Sequence, residues 1–301
     1  MILRRRLLLA AGSLLPAARV AAASGMKLSL SVRVAEAFDR KDKSNMTIDQ
    51  LIALAKAHGY SALCMRASQA GVQSEPTLIG EMRRKIDRAG LVVSMVTADV
   101  AVPSNTDDAP QCLRKIKPHL DVAERFGATL IRIAMKKDED IPWAQRASDE
   151  ARERGIRLAH QSHCASLFET VEGTLRVLKK VDRSNFGIIY EPANWLIAGE
   201  DYGRHTIERL KPYLFNVYIQ NHLLTPSGKA AVVTWKKGKV PLDHIGVWEK
   251  GGVNVEEMFA GLYAVGYSGY VTVHQAFADV MPVEEAVARS AAYLGKFTKR
   301  G

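Results

Sequence analysis

Between Lys27 and Leu294 the chain repeats one unit eight times: a short apolar run of strand length, then a longer stretch with helical periodicity. The apolar runs are Lys27–Val34, Ser61–Met65, Leu91–Thr97, Thr129–Ala134, Ile156–His160, Phe186–Tyr190, Leu214–Ile219 and Gly269–Val273. Helices are expected at Thr47–His58, Leu78–Ala89, a segment ending near Phe126-Gly127, Pro142–Arg154, Thr170–Val181, Gly203–Leu210, Val255–Val265 and Val283–Leu294. The first of these carries Thr47 and Gln50 at capping-box spacing, with Gly59 just past its end. Only residues 223–253, rich in glycine, read as a longer irregular stretch. Nothing in the composition marks a linker, so the expectation is an α/β chain forming a single (β/α)8 TIM barrel. An open doubly wound sheet is the alternative, weakened because no GxGxxG follows the first strand.

The residues before this repeat read differently. Arg4-Arg5-Arg6, the apolar stretch Leu7 to Leu15 and the small-residue run Ala21-Ala22-Ala23 have the order of a secretory leader. Paired arginines ahead of the apolar stretch fit the twin-arginine type. The apolar stretch is too short to span a bilayer. The domain expectation is therefore a signal peptide at 1–23 and a barrel at 24–301, giving a periplasmic or secreted protein with no membrane anchor after processing. Removing that leader deletes four arginines and no acid, which lowers the formal charge of +10 to about +6. The remaining excess is scattered along helices, as in Arg83-Arg84-Lys85 and Lys179-Lys180, with no stripe interleaved with aromatics, so nucleic-acid binding is not expected. Cys64, Cys112 and Cys164 are an odd number without CxxC spacing, which indicates neither a disulfide scaffold nor a zinc ribbon.

Active sites of parallel barrels lie at the C-terminal ends of the strands. Four runs there change abruptly from apolar to polar: His160-Gln161-Ser162-His163, Glu191-Pro192-Ala193-Asn194, Gln220-Asn221-His222 and His274-Gln275. Earlier strands add Arg66, Arg132 and Lys136. Side chains alternate along a strand, so only one of His160 and Gln161 can enter the barrel mouth, and His274 faces opposite to Val273. A carboxylate such as Glu191 at the end of an apolar strand is costly to bury without a use. His160 and His222 are expected to serve backbone carbonyls.

These segments, with Gly252-Val253-Asn254, Gly261-Leu262 and Gly266 to Val273 near the C-terminus, resemble the xylose isomerase-like barrels of the sugar phosphate isomerase/epimerase and endonuclease IV superfamily. The resemblance implies one divalent metal held by ligands on the last four strands, two of them glutamates that serve as acid and base. The matching positions here are Gln161, Glu191, Tyr218 and His274, so a two-carboxylate mechanism is absent. Glu191 and His274 are the expected catalytic pair, with Gln161, Glu191 and His274 as the candidate metal set for Mn, Zn or Co, and a metal-free site as the alternative. Arg66, His163, Asn194, Trp195, Tyr218, Gln220, Asn221 and Gln275 are the expected substrate contacts. The implied partner is a sugar or keto-sugar undergoing isomerisation or epimerisation. The alternatives are an inactive carbohydrate-binding barrel and a metal-independent lyase.

Overall fold

The computed structural model describes residues 25–97 and 106–298. The leader assigned to residues 1–23 lies outside them. Eight strands close into a parallel barrel in the order β1, β11, β7, β6, β5, β4, β3, β2. Their bounds are β1 Lys27–Ser31, β2 Ala62–Met65, β3 Val92–Thr97, β4 Leu130–Ile133, β5 Arg157–Gln161, β6 Phe186–Tyr190, β7 Leu214–Ile219 and β11 Tyr270–Val273. Helices cover the outside, among them α1 (Ile48–Ala57), α6 (Val171–Val181), α9 (Val255–Ala264) and α10 (Val283–Thr298). Among the described residues, no helix is long and apolar enough to cross a membrane.

Local chemistry sets the element ends. The Thr47–Gln50 capping box forms in full at the start of α1. Thr170 and Asn254 cap α6 and α9 by accepting from backbone N–H groups. Inside the barrel one glycine is required by space: a Cβ on Gly187 would stand 2.4 Å from the Tyr213 carbonyl oxygen and 2.7 Å from the Phe215 ring.

Strand alternation divides the core into two parts. Outward residues such as Leu158, Ile188, Val217 and Val271 pack beneath the helices. Inward residues Cys64, Met95, Leu130, Ala159, Ile189 and Tyr218 form a separate cluster in the barrel lumen. The Tyr218 hydroxyl and Cys64 Sγ meet 3.4 Å apart inside this cluster, joining β7 to β2. The cysteines Cys64, Cys112 and Cys164 are all reduced and buried.

Two sequence expectations are corrected here. The first strand stops at Ser31, and Val32–Ala35 winds into a 3-10 turn, because the Ser31 hydroxyl accepts from the Arg33 N–H and starts the turn. Residues 223–253 are not irregular throughout. They contain most of a three-stranded antiparallel sheet, β8 (His222–Leu224), β9 (Ala230–Thr234) and β10 (Gly238–His244), with β10 in the middle. The β9–β10 turn is held by Glu169, whose carboxylate accepts from the N–H groups of Trp235 and Lys236 at 2.8 Å each and from that of Ala165. The sheet is thereby pinned beside the barrel mouth.

Candidate active site at the barrel mouth

The C-terminal ends of the strands surround a cavity of about 260 Å³. Its walls include Arg33, Arg66, Arg132, Gln161, Gln220 and His274 from the barrel, and Val232 and Val233 from β9. Lys41, Lys136, His163, Asn194 and His222 complete the polar lining. Parity decides most of this: Arg132, Gln161 and His274 lie two residues beyond the lumen positions Leu130, Ala159 and Thr272. His160 faces outward, stacked on Phe168 with ring centroids 4.2 Å apart and bonded to the Gln161 and Met135 carbonyls. Burial pushes its pKa down to about 3, so it is a neutral packing residue.

Glu191 is fully buried just behind the cavity wall. Pro192 ends β6 and opens the short helix α7 (Pro192–Ala198), which turns Asn194 back so that its Nδ2 donates to Glu191 Oε2 at 2.8 Å. Gln161 Nε2 donates to the same oxygen and Gln220 Nε2 to Oε1. Three carboxamides therefore enclose one carboxylate, and these amides face the cavity while Glu191 does not. Burial raises the Glu191 pKa to about 7, with the bonds from Gln161, Gln220 and Asn194 and the charge of Arg132 opposing that rise.

His274 roofs the lumen. Its ring stacks on Tyr218 at 3.8 Å with an interplanar angle of 8°, and its Nδ1 lies 3.0 Å from Ser31 Oγ. That leaves Nε2 as the nitrogen open to chemistry. Burial, then Arg66, Arg132 and Arg33, hold its pKa well below the usual histidine value, so the imidazole is neutral. The guanidinium groups are themselves organised by a second buried carboxylate. Glu36 accepts from Arg33 Nη1 at 3.1 Å, from Arg66 Nε at 2.9 Å and from the Ser68 hydroxyl. Burial alone would raise Glu36, but Arg66, then Arg33 and Ser68, hold it below the ordinary carboxylate value.

Of the residues singled out from sequence, Arg66, Gln161, His163, Asn194, Gln220 and His274 meet at the cavity. Besides Glu191, four of the expected substrate contacts do not reach it. Trp195 is buried in the core, with Nε1 donating to the Phe168 carbonyl at 3.1 Å, and offers no platform for a sugar ring. Tyr218 lies in the lumen beneath His274. Asn221 ties down the following segment through Gly246, Glu249 and Val253, while Gln275 bonds the Asn221 N–H and the Ile245 carbonyl. The sequence reading passed over Arg33, Lys41, Glu36 and Ser31. Arg33 and Ser31 were accessible in principle, since Ser29, Ser31 and Arg33 share one parity. Lys41 and Glu36 lie in a connecting segment that carries no such signal.

A divalent cation asks for converging, unengaged lone pairs from oxygen or nitrogen ligands. Here Glu191 already accepts from three amides, Gln161 turns its NH2 toward that carboxylate, and His274 stands close to three guanidinium groups. Among the described residues, no three His, Cys, Asp or Glu side chains gather to hold a metal ion. The residues present do not fit such an ion.

A sequence model of the family described as xylose isomerase-like TIM barrel matches residues 52–297. No curated protein matches the chain. Among solved structures, the probable 3-DHS dehydratase AsbF of Bacillus anthracis is 17% identical, with 90% of this chain and 99% of that chain covered at a TM-score of 0.66. A sugar phosphate isomerase/epimerase from Parabacteroides distasonis is 16% identical, with 94% and 98% covered at 0.63. A xylose isomerase-like TIM barrel protein from Mycobacterium smegmatis, solved in complex with magnesium, is 14% identical, with 91% and 96% covered at 0.64. At these identities the likeness establishes the shared barrel.

Proposed function

Because the chain belongs to the xylose isomerase-like TIM barrel family, we propose that it is an isomerase or epimerase that moves a proton next to the carbonyl of a sugar or keto-sugar. The observation that carries this reading is His274: a neutral imidazole fixed by Ser31 and Tyr218, with Nε2 left for chemistry at a guanidinium-lined cavity. Proton removal beside a carbonyl needs a placed base and stabilisation of the resulting enolate. In the tautomer that donates Nδ1–H to Ser31 Oγ, Nε2 accepts the proton from carbon. The carbon–hydrogen electron pair moves into the carbonyl, and the oxygen that gains charge is met by Arg66 and Arg132. When the adjacent hydroxyl passes its proton to the charged oxygen and His274 returns the carbon proton to the neighbouring carbon, the isomer forms; a proton delivered by solvent to the opposite face of the original carbon gives the epimer, with His274 releasing its proton to solvent. Expulsion of a group β to the carbonyl would instead give a lyase, the kind of reaction that the dehydratase relative's name describes.

Glu191 acts in this reading as a positioning residue. It holds Gln161, Asn194 and Gln220 in place to bind substrate hydroxyls and makes no contact with the cavity itself. Its enclosure also supports a second reading, a carbohydrate-binding barrel without turnover, since one of the two expected catalytic groups is sealed away. Incubation with a panel of aldoses, ketoses and their acids, followed by NMR, separates the two. The expected result is product from the wild type and at least a hundredfold loss in His274→Gln with an unchanged melting temperature. Binding without product across the panel would favour the second reading. We place this activity outside the cytoplasm on the strength of the leader-like residues 1–23, which cell fractionation of the full and leader-deleted chains would test.

A further inference from the structure

The three-stranded sheet beside the mouth carries a surface that proton transfer does not use. Val233 and Trp235 are the two most exposed large apolar side chains among the described residues, at 61% and 57%. They share one parity along β9 and the turn that follows it. Leu223, also exposed, lies on the same outer face, since it pairs with Asp243 on β10 while Lys239 on that strand pairs with Val233. The opposite face, with Val232 and Leu242, packs on Cys164 and Ile197.

Positive charge surrounds this apolar face. Residues 229–242 hold four lysines and no acid. Lys236 pairs with Glu200 at 2.5 Å, whereas Lys229, Lys237 and Lys239 are exposed and enter no ion pair among the described residues. Asp243, the one acid on the outer face of the sheet, stands at the Leu223 end, where it accepts from the Lys229 N–H. The turn is fixed from its inner side by Glu169, which accepts from the Trp235 and Lys236 N–H groups. Side chains presented by a backbone already in place lose less freedom on docking.

Contiguous exposed apolar side chains rimmed by charge mark a contact surface. A second copy of the chain is a poor occupant. A two-fold interface sets one patch against itself, so the lysines would face one another, and lysine is depleted in protein interfaces. Tryptophan is instead enriched where lipid headgroups meet hydrocarbon, and lysines beside it are drawn to anionic lipid. We propose that the β9–β10 turn docks on an anionic bilayer surface, with Trp235 and Val233 entering the headgroup layer and Lys229, Lys237 and Lys239 meeting lipid phosphates. The chain then lies on the membrane and does not span it. Val233 also lines the cavity, so docking brings the β9 rim of the mouth to the headgroups. Docking of this kind stands whether or not the mouth turns over a sugar.

Co-sedimentation of the full chain with sucrose-loaded vesicles tests this, using phosphatidylcholine alone and phosphatidylcholine with roughly 30% phosphatidylglycerol. Tighter binding is expected to the anionic vesicles, weakening as salt rises. Each lysine should account for about fivefold. The combined substitution of Lys229→Gln, Lys237→Gln and Lys239→Gln should therefore weaken binding about a hundredfold, and Trp235→Ala about tenfold, with wild-type melting temperatures. Residues 1–23 are common to every variant, so their contribution cancels in these ratios. Brominated lipid should quench the tryptophan emission of the wild type and leave that of Trp235→Phe largely unquenched. Equal binding to neutral and anionic vesicles, binding unmoved by these substitutions, or quenching that persists in Trp235→Phe would overturn the proposal. A dimer that forms with rising concentration and is dissolved by Trp235→Ala would do the same, by giving the face to a second copy. So would tighter binding of a single-stranded oligonucleotide than of the vesicles through the same lysines.

Discussion

Glu191→Gln is the substitution whose consequence can be worked out most fully. The carboxylate is fully buried and enclosed by three carboxamides, and its pKa is raised from 4.5 to about 7. At about 1.4 kcal/mol per pKa unit, ionising it in the folded chain costs about 3 kcal/mol more than in the unfolded chain. The folded state binds this proton more tightly, so between pH 4.5 and 7 it holds more protons than the unfolded state. The associated stability is fully present below pH 4.5 and is lost as pH rises through 7. Glutamine has the shape of the protonated acid and does not titrate. Wild type and Glu191→Gln should therefore be closest in behaviour near pH 5, and the variant should gain about 2–3 kcal/mol on the wild type by pH 8. Urea denaturation of both chains at half-unit steps from pH 5 to 8 measures this, and contributions from His160, His222 and other groups common to both chains cancel in the difference. A difference that stays flat within about 0.5 kcal/mol across that range would refute the reasoning, because it would mean that water reaches the carboxylate.

Two further outcomes follow from the same packing. Gly187→Ala should destabilise the barrel by about 2 kcal/mol or more, seen as a lower melting temperature, because the new Cβ meets the Tyr213 backbone carbonyl at 2.4 Å and backbone cannot yield as a side-chain tip can. Glu169→Ala removes the acceptor for the Trp235 and Lys236 N–H groups, so limited proteolysis should cut the β9–β10 turn faster than in the wild type. Substrate KM should also rise, since Val232 and Val233 form part of the cavity wall. Unchanged cleavage at that turn would show that Glu169 does not hold it.

Much of the fold was legible because its signals are local. Apolar runs alternating with helical periods, the Thr47–Gln50 box and the glycines past helix ends are readable from a few neighbouring residues each. Parity separated Gln161 from His160 and His274 from Val273, and the family resemblance pointed to Gln161 and His274 as the pair that faces the mouth, where the structure has them. What escaped depends on groups far apart in sequence. The enclosure of Glu191 needs Gln161, Asn194 and Gln220 to converge from three segments, and the pairing of Arg33 with Arg66 needs Glu36 between them. The β8–β10 sheet was hidden by its own composition. Pro241 and the run Lys236-Lys237-Gly238-Lys239 read as loop, yet β10 pairs on both sides and Pro241 stands opposite Ala231. Trp195 looked like a sugar platform beside Asn194. The turn of α7 that brings Asn194 to Glu191 also carries Trp195 into the core.

Solvent exchange is the most direct test of the claim that His274 and the arginine-lined mouth perform metal-free proton transfer. The protein, stripped with chelator and kept in EDTA, would be incubated in D2O with each aldose, ketose and acid of the panel above and followed by proton NMR. The account predicts deuterium at the carbon beside the carbonyl for the wild type and none for His274→Gln. Exchange that appears only after a divalent metal is restored, or that persists in the His274 variant, would contradict it.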